Sequence, residues 1–247
     1  MNKREQSIFN IMCAALTLFR ENGFRDTNVR QIAERADISL GMVNHYFGSK
    51  EALGAQLLSL LDTYAVGSLK GHLSFPADPI LYDLVSVRVL FEFMSTHGYW
   101  SFYLDSLRYD FFFKHLFSHP PVLIDELKRI YHFEASQDAI LLYSKYMPYM
   151  MEKTVILKKA EGLFPTIPYE EVPYMICHAA MSHFIPEADI RARDEDSKRI
   201  AREIGKTLED YPPRNMIADF ACHFADLGQE ESSYIQSFWI SQLSPAL

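Results

Sequence analysis

The chain has 247 residues, with 24 basic and 32 acidic side chains and a formal net charge of −8 at pH 7. No apolar stretch approaches about eighteen residues without a charged side chain, so the sequence predicts neither a membrane-spanning helix nor a signal peptide. Its three cysteines are too few and too scattered for a disulfide framework and fit a reducing compartment. We therefore expect a cytoplasmic protein with one small and one larger domain.

The first predicted element is an amphipathic helix over residues 8–24. Its apolar side chains recur at three- and four-residue spacing and form one stripe, which consists of Ile8, Ile11, Met12, Ala15 and Phe19. Gly23 is suited to end this helix, and Phe24 follows it as a packing residue.

Residues 27–53 are predicted to form two short helices joined by a tight turn, with a third helix after Ser49. Thr27 is the predicted N-cap of the first helix. Its apolar face consists of Val29, Ile32, Ala33 and Ala36. Asp37 occupies the turn, because aspartate tolerates left-handed backbone better than most residues.

The second of these helices is predicted to start after Ser39, with Val43 and Phe47 facing inward. Its outer face then consists of Leu40, Gly41, Asn44 and His45. Ser49 is predicted to cap the third helix with Lys50 in its first turn, where free amides and an ammonium group suit a phosphate. The pattern is typical of a helix-turn-helix module that places its second helix in the major groove of DNA, although a plain helical bundle with polar faces also fits it.

Taken together, residues 11–53 resemble the N-terminal domain of the TetR family of transcriptional regulators. The matching residues are Ala14, Ala15, Leu16, Leu18, Phe19, Glu21, Gly23, Phe24, Thr27, Val29, Arg30, Ile32, Ala33, Ala36, Ile38, Ser39, Gly41, Phe47, Ser49, Lys50, Glu51 and Leu53. The resemblance implies an all-α fold, with a three-helix DNA-binding head over 1–53. A larger helical domain for effector binding and dimerisation is then expected over 54–247.

The resemblance also implies which residues meet DNA. The expected contacts to the DNA backbone are Thr27, Asn28, Ser39, Tyr46 and Lys50, and the residues expected to face base edges are Leu40, Gly41, Asn44 and His45. Family members usually carry threonine and tyrosine where this chain has Met42 and Asn44. Asn44 is still able to bind a phosphate, or adenine through two hydrogen bonds, whereas Met42 is suited only to pack inward or to touch a thymine methyl.

The charge of the predicted head is small. Residues 1–53 carry seven Lys/Arg and six Asp/Glu, so the head has a net charge of +1 and the remainder −9. Such a head depends on the local placement of Arg25, Arg30, Arg35 and Lys50, with Lys3 and Arg4 as an expected basic arm. One weakly basic head binds DNA poorly, which favours a homodimer.

Beyond residue 54 the sequence predicts only helices, punctuated by prolines. The expected ranges are 50–72, 79–97, 99–116, 121–147, 149–162, 169–184, 190–210, 213–228 and 231–242. By resemblance to the family, the segments 169–184 and 213–242 are the candidates for the dimer interface.

Residues 99–117 contain nine aromatic side chains among nineteen residues. Aromatic and methionine side chains suit a flat or apolar effector, and a hydroxyl or guanidinium group would orient its polar end. The candidate effector-binding residues are Trp100, Tyr103, Arg108, Phe112, Tyr143 and Met147. Any one of these aromatic residues also fits an ordinary core.

No catalytic arrangement or phosphate-binding loop is evident, so we expect no enzyme and no cofactor. The histidine pair His115 and His119 and the group Cys177, His178 and His183 lack a carboxylate that would complete a metal site. The sequence thus predicts a homodimeric transcriptional regulator, a repressor released from a palindromic operator by a small hydrophobic or aromatic effector. The alternatives are an activator, a dimeric accessory protein that has lost specific DNA binding, and a metal or thiol sensor.

Overall fold

The computed structural model describes residues 1–111 and 122–227. Every regular element within these residues is helical, which confirms the all-α prediction. The α-helices are α1 (Lys3–Asp26), α2 (Val29–Arg35), α3 (Leu40–Phe47), α4 (Lys50–Gly67), α5 (Pro79–Thr96), α6 (Trp100–Arg108), α7 (Val122–Tyr131), α8 (Gln137–Leu141), α9 (Met147–Ala160), α10 (Val172–Met181), α11 (Glu187–Arg191), α12 (Asp194–Gly205) and α13 (Arg214–Leu227). A π-helical turn, Leu142–Tyr146, joins α8 to α9, and a 3₁₀ turn, Tyr169–Glu171, precedes α10. None of the helices described is long and apolar enough to span a membrane.

The helix predicted over 121–147 is interrupted in the structure. The chain leaves α7 at His132, whose φ of 55° is left-handed, and a new helix starts after Ser136. The Ser136 hydroxyl accepts a hydrogen bond from the Ala139 N–H at 3.1 Å and so caps the new helix. The prediction is also wrong at its end, because the chain stays helical past Met147. Pro148 lies in the first turn of α9, where a helix tolerates the missing N–H.

The contacts within the chain divide it into two compact units. Of the described residues, the first unit comprises 1–64, 94–111 and 209–227, and the second comprises 65–93 and 122–208. The predicted helix-turn-helix head therefore lies in the first unit together with α6 and α13, which are distant from it in the sequence.

Aromatic side chains form much of the core of the first unit. Phe102 on α6 stacks on Phe19 of α1 with 5.0 Å between ring centroids, and Phe111 lies 4.7 Å from Phe24. Tyr103 on α6 is also fully buried. The described part of the aromatic-rich stretch thus contributes largely to the core of this unit.

Helix α13 packs lengthwise along α1. Its buried side chains are Ile217, Phe220, Ala221 and Ala225. The segment 213–242 is a predicted candidate for the dimer interface, and in its described part the buried side chains pack on α1. The segment 231–242 lies outside the described residues.

The second unit has its own apolar core, built from α5, α7, α10 and the chain that follows α10. The core residues are Ile80, Leu84, Ile124, Leu127, Cys177, Ala180, Met181, Ile185 and Ile190. Arg88 is buried beside this core, where its guanidinium group donates to the hydroxyl of Ser197, the carbonyl of Glu170 and the carboxylate of Asp194. A buried charge is tolerated only when it is paired in this way.

Candidate DNA-binding interface

The candidate interface begins with α1, which is longer than predicted. Asn2 caps the helix: its side chain accepts from the Glu5 N–H at 3.0 Å, and the Glu5 carboxylate accepts from the Asn2 N–H at 2.7 Å. Lys3 and Arg4 therefore lie inside α1, and the expectation that they form a basic arm is wrong. The predicted apolar stripe of α1 is confirmed, because all five of its residues are fully buried.

The N-cap of α2 is Asn28 and not Thr27 as predicted. The Asn28 side chain accepts from the Gln31 N–H at 3.0 Å, and the Gln31 side chain accepts from the Asn28 N–H at 2.7 Å. Thr27 is 1% exposed, and its hydroxyl donates to the carbonyl of Gly23 at 2.8 Å. Thr27 thus holds the end of α1, and its hydroxyl points into the protein.

The turn between α2 and α3 has the predicted geometry. Asp37 has a φ of 54°, the left-handed conformation that a sharp turn requires. Ser39 is the N-cap of α3 by its backbone, but its side chain makes no capping hydrogen bond. Its exposed hydroxyl therefore remains available at the start of α3.

Helix α3 has the two faces that the sequence predicts. Val43 and Phe47 are buried, with 1% and 5% of their surface exposed. The exposed outer face consists of Leu40, Gly41, Asn44 and His45. Leu40 is 48% exposed on this face. Met42 is half-buried, and Tyr46 is largely buried beside the ring of His45.

Ser49 and Lys50 start α4 and have different roles. The Ser49 hydroxyl accepts from the Ala52 N–H at 3.0 Å, which confirms its predicted capping role. The Lys50 ammonium group donates to the carbonyls of Phe24 and Thr27, each at 2.8 Å, and lies 4.2 Å from the centre of the Phe24 ring. Partial burial lowers the pKa of Lys50. Since an ammonium group has three donors, one N–H is left for a phosphate after these two hydrogen bonds.

Replacing Lys50 with methionine is expected to lower the free energy of unfolding by about 1–3 kcal/mol, the usual effect of losing hydrogen bonds from a charged donor. Methionine keeps an unbranched apolar side chain but leaves the carbonyls of Phe24 and Thr27 without their partner. Chemical denaturation of Lys50→Met beside Lys70→Met, which changes an exposed lysine, measures the effect. Equal stability of the two variants would show that the two hydrogen bonds contribute nothing.

The other basic residues of the head differ in how firmly they are held. Arg35 is paired with Glu21 at 2.8 Å, and Arg30 lies 3.9 Å from Glu34. Both pairs are exposed and therefore weak, so a phosphate is able to replace the carboxylate partner. The side chain of Arg25 is also exposed.

The candidate effector residues are divided between the two units. Trp100 and Tyr103 lie on α6 with their rings 5.5 Å apart, and Arg108 on the same helix is paired with Asp105 at 2.6 Å. In the second unit the ring of Tyr143 stacks on His183 at 3.5 Å, whereas Met147 is 50% exposed. Phe112 lies outside the described residues.

Neither of the sensor alternatives gains support from the described residues. Burial raises the pKa of the Cys177 thiol well above its usual range, and the neighbouring Asp83 carboxylate raises it further. Burial is also the main cause of the raised pKa of Cys13 and Cys222. Raised values disfavour the reactive thiolate. No group of three histidine, cysteine or acidic side chains suited to a metal occurs in 1–111 or 122–227.

Comparison with known proteins identifies the head. Residues 11–57 match the family model of bacterial regulatory proteins of the TetR family. The HTH-type transcriptional regulator HbdR of Aromatoleum sp. (strain CIB) is 41% identical over 61 residues, which are 24% of this chain and 27% of that protein. The HTH-type transcriptional repressor Rv3405c of Mycobacterium tuberculosis (strain ATCC 25618 / H37Rv) is 38% identical over 77 residues, which are 31% of this chain and 40% of the relative.

These matches cover less than half the length of either relative. No solved structure matches significantly. The comparisons therefore show a TetR-family helix-turn-helix domain at the N-terminus, and the relatives that share it are named as transcriptional regulators.

Proposed function

We propose that this protein, whose N-terminal domain belongs to the TetR family, is a homodimeric transcriptional regulator. It binds operator DNA through α3. The observation that carries the proposal is the outer face of α3. Leu40, Asn44 and His45 are exposed there around Gly41, while Val43 and Phe47 anchor the opposite face. Such a helix has the size and the side chains to enter a major groove.

The proposed backbone contacts are revised by the structure. Asn28 and Ser39 are exposed at the starts of α2 and α3, and the ammonium group of Lys50 lies at the start of α4, positions that favour a phosphate. The Thr27 hydroxyl is already bonded inside the protein, and Tyr46 is largely buried. We therefore propose that the phosphate contacts are made by Asn28, Ser39, Lys50, Arg25 and Arg30.

A second copy of the chain is the partner that the proposal requires. An apolar face is exposed from α8 to α9, and we call it the α8–α9 face; it consists of Leu141, Leu142, Tyr146, Met147 and Met150, which are 39–52% exposed. A monomer rarely leaves so many large apolar side chains of one helical segment in water. Pairing of two such faces around a twofold axis would bury them and present two heads to a palindromic operator.

We further propose that a small apolar or aromatic effector releases the protein from DNA, which makes it a repressor. The repressor named among the relatives supports this direction. Release requires only that the effector bind more tightly to the geometry without DNA than to the DNA-bound one. The location of the effector among Trp100, Tyr103, Arg108, Tyr143 and Met147 stays a prediction.

Selection of bound sequences from a random duplex pool, followed by titration of the best sequence against salt, tests the proposal. We expect a near-palindromic sequence with half-sites about one helical turn apart and a steep loss of affinity with salt. Failure of the folded, dimeric protein to enrich any sequence would favour the accessory protein that has lost DNA binding.

A further inference from the structure

The last described helix, α13, contacts the recognition helix. Phe224 on α13 stacks on Phe47, the last residue of α3, with 4.9 Å between the ring centroids and 14° between the ring planes. Both residues belong to the first unit, although 177 positions separate them in the sequence. The C-terminal end of α3 therefore packs against a residue near the end of the described chain.

Several further contacts hold this part of the chain to the first unit. The guanidinium group of Arg214 lies 5.2 Å from the centre of the Phe9 ring, and the Tyr211 hydroxyl donates to the Cys13 carbonyl at 3.2 Å. The Glu209 N–H donates to the hydroxyl of Tyr64, on α4, at 3.1 Å. These contacts, together with the buried face of α13 on α1, fix the position of the Phe224 ring.

Helix α13 supports α3 and leaves its DNA-facing surface open. The outer face of α3 remains exposed with α13 in place, and Leu40 alone is 48% exposed. The stacked ring meets α3 on the opposite face, where Phe47 is 5% exposed. The described part of α13 therefore does not cover the outer face of α3.

We propose that Phe224 is a positioning residue for DNA recognition. It acts through Phe47, so that α13 contributes to the function of the DNA-binding head. The proposal rests on the DNA-binding function proposed above. Helix α3 has eight residues, and its buried side chains are Val43, Tyr46 and Phe47. Gly48 follows with a φ of 75°, so the helix ends there and the chain turns. The position of the last turn of α3 therefore depends on the packing of the Phe47 ring. Loss of the opposing ring lets this end shift, and small shifts suffice to misplace groups that read bases.

The test compares Phe224→Ala with Asn215→Ala, an exposed position on the same helix. We expect Phe224→Ala to lower the affinity for the selected operator by roughly three- to tenfold, as the loss of an aromatic pair would. Affinity for a duplex of unrelated sequence should change less than about twofold, because that binding depends on phosphates. Phe224→Tyr keeps the ring and should restore the ratio of operator affinity to unrelated-duplex affinity. Asn215→Ala should leave that ratio unchanged.

A purely structural role gives a different result. Partial unfolding of the variant would remove operator and unrelated binding in equal proportion, and the ratio of the two affinities would stay the same. That unchanged ratio would overturn the proposal. If Phe224→Ala does not fold, Phe224→Leu retains apolar volume without the stacked ring and should lower the ratio in the same direction.

Amide hydrogen exchange of the free protein separates this inference from the proposed function. Removal of the ring should speed exchange at residues 44–48 and leave α2 unchanged, whether or not an operator is found. Unchanged exchange at residues 44–48 would overturn the inference even if the protein binds its operator normally. Failure to find an operator, with the faster exchange observed, would count against the proposed function alone.

Discussion

Replacing both Met147 and Met150 with glutamate is expected to convert the proposed dimer into a monomer and to lower operator affinity by about a hundredfold or more. The two side chains are 50% and 52% exposed, so the monomer should fold with little change in stability. In a twofold interface each substitution occurs twice, and four carboxylates would enter a buried apolar surface. Sedimentation gives the association state, and titration with operator DNA gives the affinity.

Ile130→Glu is the matched control for the α8–α9 face. Ile130 on α7 is 40% exposed and receives the same chemical change. We expect this variant to remain dimeric and to keep its operator affinity. A double variant that still dimerises would show that the partner binds another surface, and would return the dimer interface to the segments suggested by the family resemblance.

The proposed α8–α9 face also illustrates which features the sequence predicted and which it did not. Met147 was predicted among the effector-binding residues, and its place on the α8–α9 face gives it a second proposed role. The family resemblance predicted the segments 169–184 and 213–242 at the interface, and only their order in the chain placed them there. In the structure the apolar side of α10, such as Ile176 and Met181, lies in the core of the second unit, and that of α13 lies on α1. Periodicity identifies an apolar face, but it does not identify what covers that face.

Within the head the sequence predicted more, because its helices are short and their contacts are local. The two faces of α3 follow from the positions of Val43 and Phe47, and the turn follows from Asp37. The choice between Thr27 and Asn28 as the cap of α2 was wrong because both residue types are good caps. Only the packing of Thr27 under the end of α1 decides between them. The contact between Phe224 and Phe47 had no local signal, since 177 positions separate the two residues in the sequence.

Replacing Asn44 with alanine is expected to lower the affinity for the selected operator by about ten- to a hundredfold for each half-site, the discrimination supplied by one bidentate contact to a base. Asn44 is exposed on the outer face of α3, one helical turn beyond Leu40. Its amide nitrogen is suited to donate to N7 of adenine, and its amide oxygen is suited to accept from the N6 amino group. Repeating the sequence selection with the variant should then show one position per half-site that no longer prefers adenine.

A phosphate contact by Asn44 would give a different result, because it carries no sequence information. Affinity would then fall by a similar factor for operator and for unrelated duplex, and the selected sequence would be unchanged. Asn215→Ala removes the same side chain from an exposed position on α13 and should alter neither quantity. Wild-type affinity in Asn44→Ala would instead remove the outer face of α3 from the interface and contradict the observation on which the proposed function rests. The three outcomes therefore assign Asn44 to base readout, to contact with the DNA backbone, or to neither.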